Sequence, residues 1–165
     1  MGLARPKDQT YLKQLFHAGI AAVDARGSVA RCLQNGGALF QIDRVRPDRS
    51  FPENIWILGA GKATAAMASA TEEFLVEDYP DRYAGGLVVV KDGHGLSLER
   101  VRCLEAGHPL PDERGEKAAS ALLRLAESAD HGDLILFLLS GGASALLPAP
   151  AGCITLSDKI MLTDT

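Results

Sequence analysis

Apolar and polar positions change rhythm near residue 55. Before it, apolar residues recur at helical spacing. Leu12, Leu15, Phe16 and Val23 share one face of a helix predicted over 8–23, with Asp8 as its cap. Asp24 to Gly27 reads as a turn, and a short second helix runs from Ser28 through Leu33. Asn35-Gly36-Gly37 breaks it, and the charged stretch 43–54, with Pro47 and Pro52, reads as a loop or edge segment.

From Ile55 onward, short aliphatic runs alternate with helical stretches. The predicted strands are Ile55–Leu58, Leu87–Val90, Val101–Glu105 and Leu134–Leu139. The last is continuously aliphatic, as strands buried on both faces are. An alanine-rich helix runs to about Val76, with Ala63, Met67, Ala70 and Phe74 on one face. A second spans 113–128, with Ala119, Leu122, Leu123 and Ala126 inward and Asp112 as the preferred N-cap. A third starts near Ser157, and no Gly, Pro or basic last turn ends it before Thr165. The chain therefore reads as truncated there.

Strands alternating with helices predict a layered α/β fold around a mostly parallel sheet. One link resists. About ten residues separate the second strand from the third, short for a helical crossover. An extended crossover reaching ~33 Å and an antiparallel pair both satisfy that length.

Composition narrows the class. The 165 residues are 47% apolar and 23% charged, which excludes a disordered chain, a collagen and a coiled coil. The net charge of −4 provides no global basic field for nucleic acid or anionic lipid. No aliphatic run approaches the ~20 residues of a membrane span, and the N-terminus has no signal-peptide core. Pro6 occupies the position where N-myristoylation needs Ser or Thr. Cys32, Cys103 and Cys153, odd in number and scattered, fit a reducing, cytoplasmic setting better than a disulfide frame or zinc site.

Candidate chemistry gathers where the strands end. All four finish in Gly-containing loops that also hold Lys, His, Ser or Asp, whereas the strand beginnings carry no such cluster. Open α/β sheets bind ligands outside their carboxyl ends. In Gly59-Ala60-Gly61-Lys62 the glycines permit close approach of a ligand, the following helix start offers free N–H groups, and Lys62 adds a charge. The stretch is neither a Walker A loop, since Trp56 and Ala63 stand at required positions, nor a dinucleotide fingerprint, since Thr64 replaces the third glycine. A tight turn with a solvated lysine is the plain alternative.

Ser140-Gly141-Gly142-Ala143-Ser144 has the makings of an anion nest, with the two serines as further donors. A strand-to-helix turn is its plain alternative. A nucleophile elbow is excluded, because Leu146 stands where its second glycine belongs. His94 and His108 follow glycines in strand-end loops and read either as acid, base or phosphate donors or as structural hydrogen-bonding residues. Asp92 and Asp112 are candidate polar partners, Pro109 and Pro111 stiffen their loop, and His17 and His131 read as surface or helix-end residues.

Four segments occur in order: ILGAGKATAAMASATEEF, LVVVKDGHG, EAGHPLPDERGEKAA and DLILFLLSGGASALLPAP. Together with AAVDARGSVARCL they make the chain resemble the N-terminal part of the glycerate 2-kinase family, whose second domain is called MOFRL. The resemblance implies a Rossmann-like αβα domain, with lead helices over 8–40 and an α/β core over 54–165. It implies a site in the cleft facing a second domain that this chain lacks. It further implies ATP and Mg2+ as cofactors and phosphorylation of the 2-hydroxyl of D-glycerate to give 2-phosphoglycerate. Lys62 falls on the family's candidate catalytic lysine. Gly59, Gly61, Ser140, Gly141, Gly142, Ser144 and His108 fall on its binding motifs, and Ala143 replaces a glycine found in many members.

Two rivals remain at this stage. One is an NAD(P)H-dependent hydroxypyruvate reductase, against which the missing third glycine speaks. The other is an inactive fragment that binds only a small anion. A truncated sheet is also expected to expose an edge and to aggregate or self-associate.

Overall fold

The computed structural model describes residues 6–34 and 52–163. Asn35-Gly36-Gly37 and most of the 43–54 segment lie outside them. Helix α1 (Pro6–Ala22) and helix α2 (Ala25–Gln34) lead the chain. Strand β1 (Ile55–Ala60), α3 (Thr64–Asp78), β2 (Tyr83–Lys91), β3 (Val101–Ala106), α4 (Glu113–Glu127), β4 (Leu134–Leu139), α5 (Ala143–Leu146) and α6 (Leu156–Thr163) follow.

The four strands form one parallel sheet in the order β3-β2-β1-β4. The period-2 geometry of β1 divides its side chains between two faces. Ile55 and Ile57 join Val88, Leu136 and Leu138 against Ala68 and Leu75 of α3. Leu58 and Leu87 meet Leu122 of α4, and Ala60 packs with Val89, Ala106, Ala118 and Leu146. Burying each large aliphatic side chain contributes about 1.5–3 kcal/mol. Helices on both faces of a parallel sheet make the layered α/β fold that the pattern predicts.

The disputed link is an extended crossover, because β2 and β3 pair in parallel. Two carboxylates hold its ends. Glu105 Oε1 accepts from the amides of Gly93 (3.1 Å) and Gly95 (3.0 Å). Glu72, on α3 and buried, accepts from the amides of Glu99 (2.6 Å), Arg100 (2.8 Å) and Val101 (3.1 Å) and from the Tyr83 hydroxyl. Burial opposes the Glu72 charge, but these four donors outweigh it and hold the carboxyl below its usual value. Burial and the bond to Glu72 push the Tyr83 hydroxyl in the opposite direction, upward.

Several local expectations need correction. Asp8 lies inside α1, which starts at Pro6, a residue suited to a first helical turn. The apolar residues Leu12, Leu15 and Phe16 of α1, and Val23 just after it, are exposed. Asp24 caps α2 rather than forming part of a turn, its carboxylate accepting from the Gly27 amide at 2.7 Å. The buried residues of α3 are Thr64, Ala65, Ala68, Ala70, Thr71, Glu72 and Leu75, so Ala70 is buried as expected, while Ala63, Met67 and Phe74 are half-buried. Leu123 of α4 is exposed and Ala118 takes the inward place. β4 is the edge of the described sheet, so Phe137 and Leu139 are exposed rather than buried. Thr155, not Ser157, caps α6 in a reciprocal box: its hydroxyl accepts from the Asp158 amide and the Asp158 carboxylate accepts from the Thr155 amide.

Candidate functional site

The strand order reverses at β1. The chain leaves β1 toward β2 on one side and later enters β4 on the other. Such a reversal opens a crevice at the carboxyl ends of the two strands, where open α/β sheets bind ligands. Here that position is flanked by the 59–62 loop after β1 and the 140–144 loop after β4.

Backbone bonds fix these loops against each other. The Lys62 amide donates to the Gly141 carbonyl (2.9 Å), the Ser140 amide to the Ala60 carbonyl (3.1 Å) and the Gly61 amide to the Val89 carbonyl (3.0 Å). Gly61 has φ +134°, and a Cβ there would strike the Ser140 side chain and carbonyl. Only glycine lets the two loops come this close. The Ser140 hydroxyl accepts from the Ala63 amide at 3.1 Å and shares a 3.0 Å hydrogen bond with the Thr64 hydroxyl. Ser140 therefore anchors the start of α3, and its hydroxyl is already engaged.

Lys62 and His108 meet over Gly142. A Cβ at Gly142 would lie 2.9 Å from His108 Nε2 and 3.3 Å from Lys62 Cε. The φ of +95° at Gly142 is a second reason for glycine. Gly141 beside it faces open space. The exposed Lys62 ammonium makes no ion pair among the described residues. His94 stands one step back, its Nδ1 3.1 Å from the Lys62 carbonyl.

A clamp of three charges carries the two histidine loops. Arg114 forks onto both oxygens of Asp92 (2.6 and 2.8 Å) and also bonds Asp112 through Nε at 2.8 Å. Asp112 caps α4 as expected, accepting from the Gly115 amide at 2.9 Å, and it also takes the Gly107 amide at 3.0 Å. The Arg114 bond holds Asp92 below its usual carboxylate range. Partial burial works against the Asp112 charge, but the Gly115 amide, Arg114 and the Gly107 amide outweigh it and lower that carboxyl too. Both carboxylates are thus committed to the scaffold.

Next to His108 is a cavity of about 250 Å³, lined by His108, Gly142, Ser144, Lys159 and Thr163 among others. It brings together Ser144 and His108, two of the sequence-predicted residues. Lys159 and Thr163 come from α6 and were not foreseen. Their helical spacing is visible in the sequence, but nothing in it links that helix to the 108 loop. Gly59 lies below the crevice in β1, where a Cβ would strike the Leu138 carbonyl, so it serves strand packing.

Among the described residues, no group of three His, Cys, Asp or Glu side chains is placed to hold a metal ion. All three cysteines are free thiols. No described helix is long and apolar enough to cross a membrane.

A family described as "Domain of unknown function (DUF4147)" matches residues 11–165. A glycerate 2-kinase of Pyrococcus horikoshii is 39% identical over 111 residues, covering 67% of this chain and 24% of the relative. A protein of Agrobacterium vitis named putative hydroxypyruvate reductase is 36% identical over 148 residues, covering 90% of this chain and 30% of the relative. The crystal structure of a Thermotoga maritima glycerate kinase superposes with a TM-score of 0.62 at 28% identity, over 87% of this chain and 33% of that one. The chain thus spans about a third or less of the length of these proteins. It belongs to the DUF4147 family, the N-terminal domain of the glycerate 2-kinase (MOFRL) family.

Proposed function

We propose that this chain supplies the first-domain half of a site that transfers a phosphoryl group from ATP to the 2-hydroxyl of D-glycerate, giving 2-phosphoglycerate. The observation that carries the reading is the convergence of Lys62 and His108 on Gly142 at the β1/β4 crevice. Phosphoryl transfer needs positioning and charge neutralisation more than covalent help from the protein. An ammonium without a carboxylate partner, a ring nitrogen and open glycine backbone provide both.

ATP, when bound, supplies the phosphoryl group. Lys62 neutralises charge on that group as it moves, and His108 donates from Nε2 to an anion lying over Gly142. Gly141, Gly142 and Ser144 form the wall on which the anion rests, while Ser140 keeps the two loops in register. The fit to Mg2+ is poorer. Asp92 and Asp112 are tied to Arg114, and the described residues offer no ligand cluster.

A reductase reading is favoured only by the name of the Agrobacterium relatives. Thr64 stands where the dinucleotide fingerprint needs glycine, and its buried side chain fills the space beside Ser140.

The test is ADP release by the protein expressed over its full open reading frame. With ATP, Mg2+ and D-glycerate, the expected result is glycerate-dependent ADP release with 2-phosphoglycerate as product. A folded protein that releases no ADP, or that oxidises NADH with hydroxypyruvate instead, overturns the reading.

A further inference from the structure

We infer that Lys159 binds the carboxylate of the acceptor acid, in the cavity between α6 and the 108 and 142 loops; this rests on the phosphoryl-transfer reading above. Lys159 is half-buried, yet its ammonium makes no ion pair among the described residues. Its neighbour Asp158 is committed to capping α6 through Thr155. A partly desolvated lysine without a counter-ion is an unmet charge, and a carboxylate entering the cavity meets it.

The cavity, about 250 Å³ and open to solvent, has room for an acid of a few carbons. The lining is polar where a hydroxy acid needs it: Ser144 and Thr163 bring hydroxyls and His108 brings a ring nitrogen. Thr163 already donates to the Lys159 carbonyl at 2.8 Å, which leaves its oxygen free to accept from a substrate hydroxyl.

Orientation follows from where the two lysines stand. Lys62 is not part of the cavity lining, but its Cε approaches Gly142, the residue that borders the cavity. An acid whose carboxylate rests on Lys159 carries its 2-hydroxyl on the adjoining carbon, at the Gly142 border of the cavity that Lys62 approaches. Lys159 thus holds the carboxylate, and Lys62 serves the neighbouring hydroxyl that reacts.

The test compares wild type, Lys159→Met and Lys159→Arg in the protein of the full reading frame. The expected result for Lys159→Met is a KM for D-glycerate at least tenfold higher, with the KM for ATP within twofold of wild type. Lys159→Arg, which keeps the charge, recovers most of the loss. A D-glycerate KM that stays within twofold in Lys159→Met overturns the inference, as does an Arg variant no better than the Met variant. If wild type shows no turnover, the kinase reading fails by itself, and the cavity is judged by binding. D-glycerate then shifts the His108 ring resonances of wild type and not of Lys159→Met if the inference holds. Equal shifts in both, or none in either, overturn it.

Discussion

The two ends of the parallel sheet treat charge in opposite ways. At the amino ends of the strands, two carboxylates are saturated. Glu72 takes four donors, and Asp133 takes the Asn54 amide and side chain, the Trp56 indole N–H and the Asp130 amide. At the carboxyl ends, Lys62 and Lys159 stand without a carboxylate among the described residues, while nearby Asp92 and Asp112 are taken by Arg114. A satisfied charge holds a fold together; an unsatisfied one that the scaffold keeps away from counter-ions is available to a ligand. On the proposed reading, the contrast separates stability from function residue by residue.

Substitutions at the two ends should therefore fail differently. The largest effect falls at the carboxyl end: Lys62→Met lowers turnover roughly a hundred- to a thousandfold while thermal melting stays at the wild-type temperature. Steady-state kinetics and calorimetry on the same preparation check both halves. Glu72→Ala does the reverse, costing about 3 kcal/mol of stability in a denaturant titration by leaving a buried hydroxyl and three amides unpaired. Ser140→Ala sits between the two ends in kind. It loses the bond to the Ala63 amide, costs about 1 kcal/mol by the same titration, and raises KM by loosening the crevice.

The pH dependence sharpens the contrast further. Glu72 is held below its usual value of 4.5, so its contribution is fully present above that pH and is lost as pH falls through the lowered folded value. Melting temperature measured from pH 6 down to pH 3 should fall in wild type, and less steeply in Glu72→Gln. The smallest effect is expected for the exposed Arg26–Glu73 pair, joined at 2.6 Å: Arg26→Ala leaves melting within experimental scatter.

Much of the fold was legible because periodicity and strand-end glycines are local signals. The cores of β1, β2 and β3 and the Asp112 cap lie where the pattern puts them. The start of β2 was not legible. Ala84-Gly85-Gly86 looks like a turn, yet it runs inside the strand, beside the register shift between Ile55 and Trp56. The edge position of β4 was hidden for another reason. An aliphatic run reports hydrophobicity and not which neighbours cover it, and Phe137 and Leu139 face outward.

Long-range roles were the least legible. Glu72 in mid-helix reads as a solvated carboxylate until the crossover folds over it. Lys159 reads as a helix surface until α6 meets the 108 loop. The loops that carry Lys62, His108 and Gly142 could be singled out, because each ends a strand. That they converge depends on the strand order, which no local pattern encodes.

Phosphoryl transfer served by Lys62 at the β1/β4 crevice is decided by phosphorus NMR of the products formed from ATP and D-glycerate by wild type and Lys62→Met, each in the full reading frame. Wild type is expected to give 2-phosphoglycerate and the folded variant only traces. Equal product from both, or none from folded wild type, would contradict it.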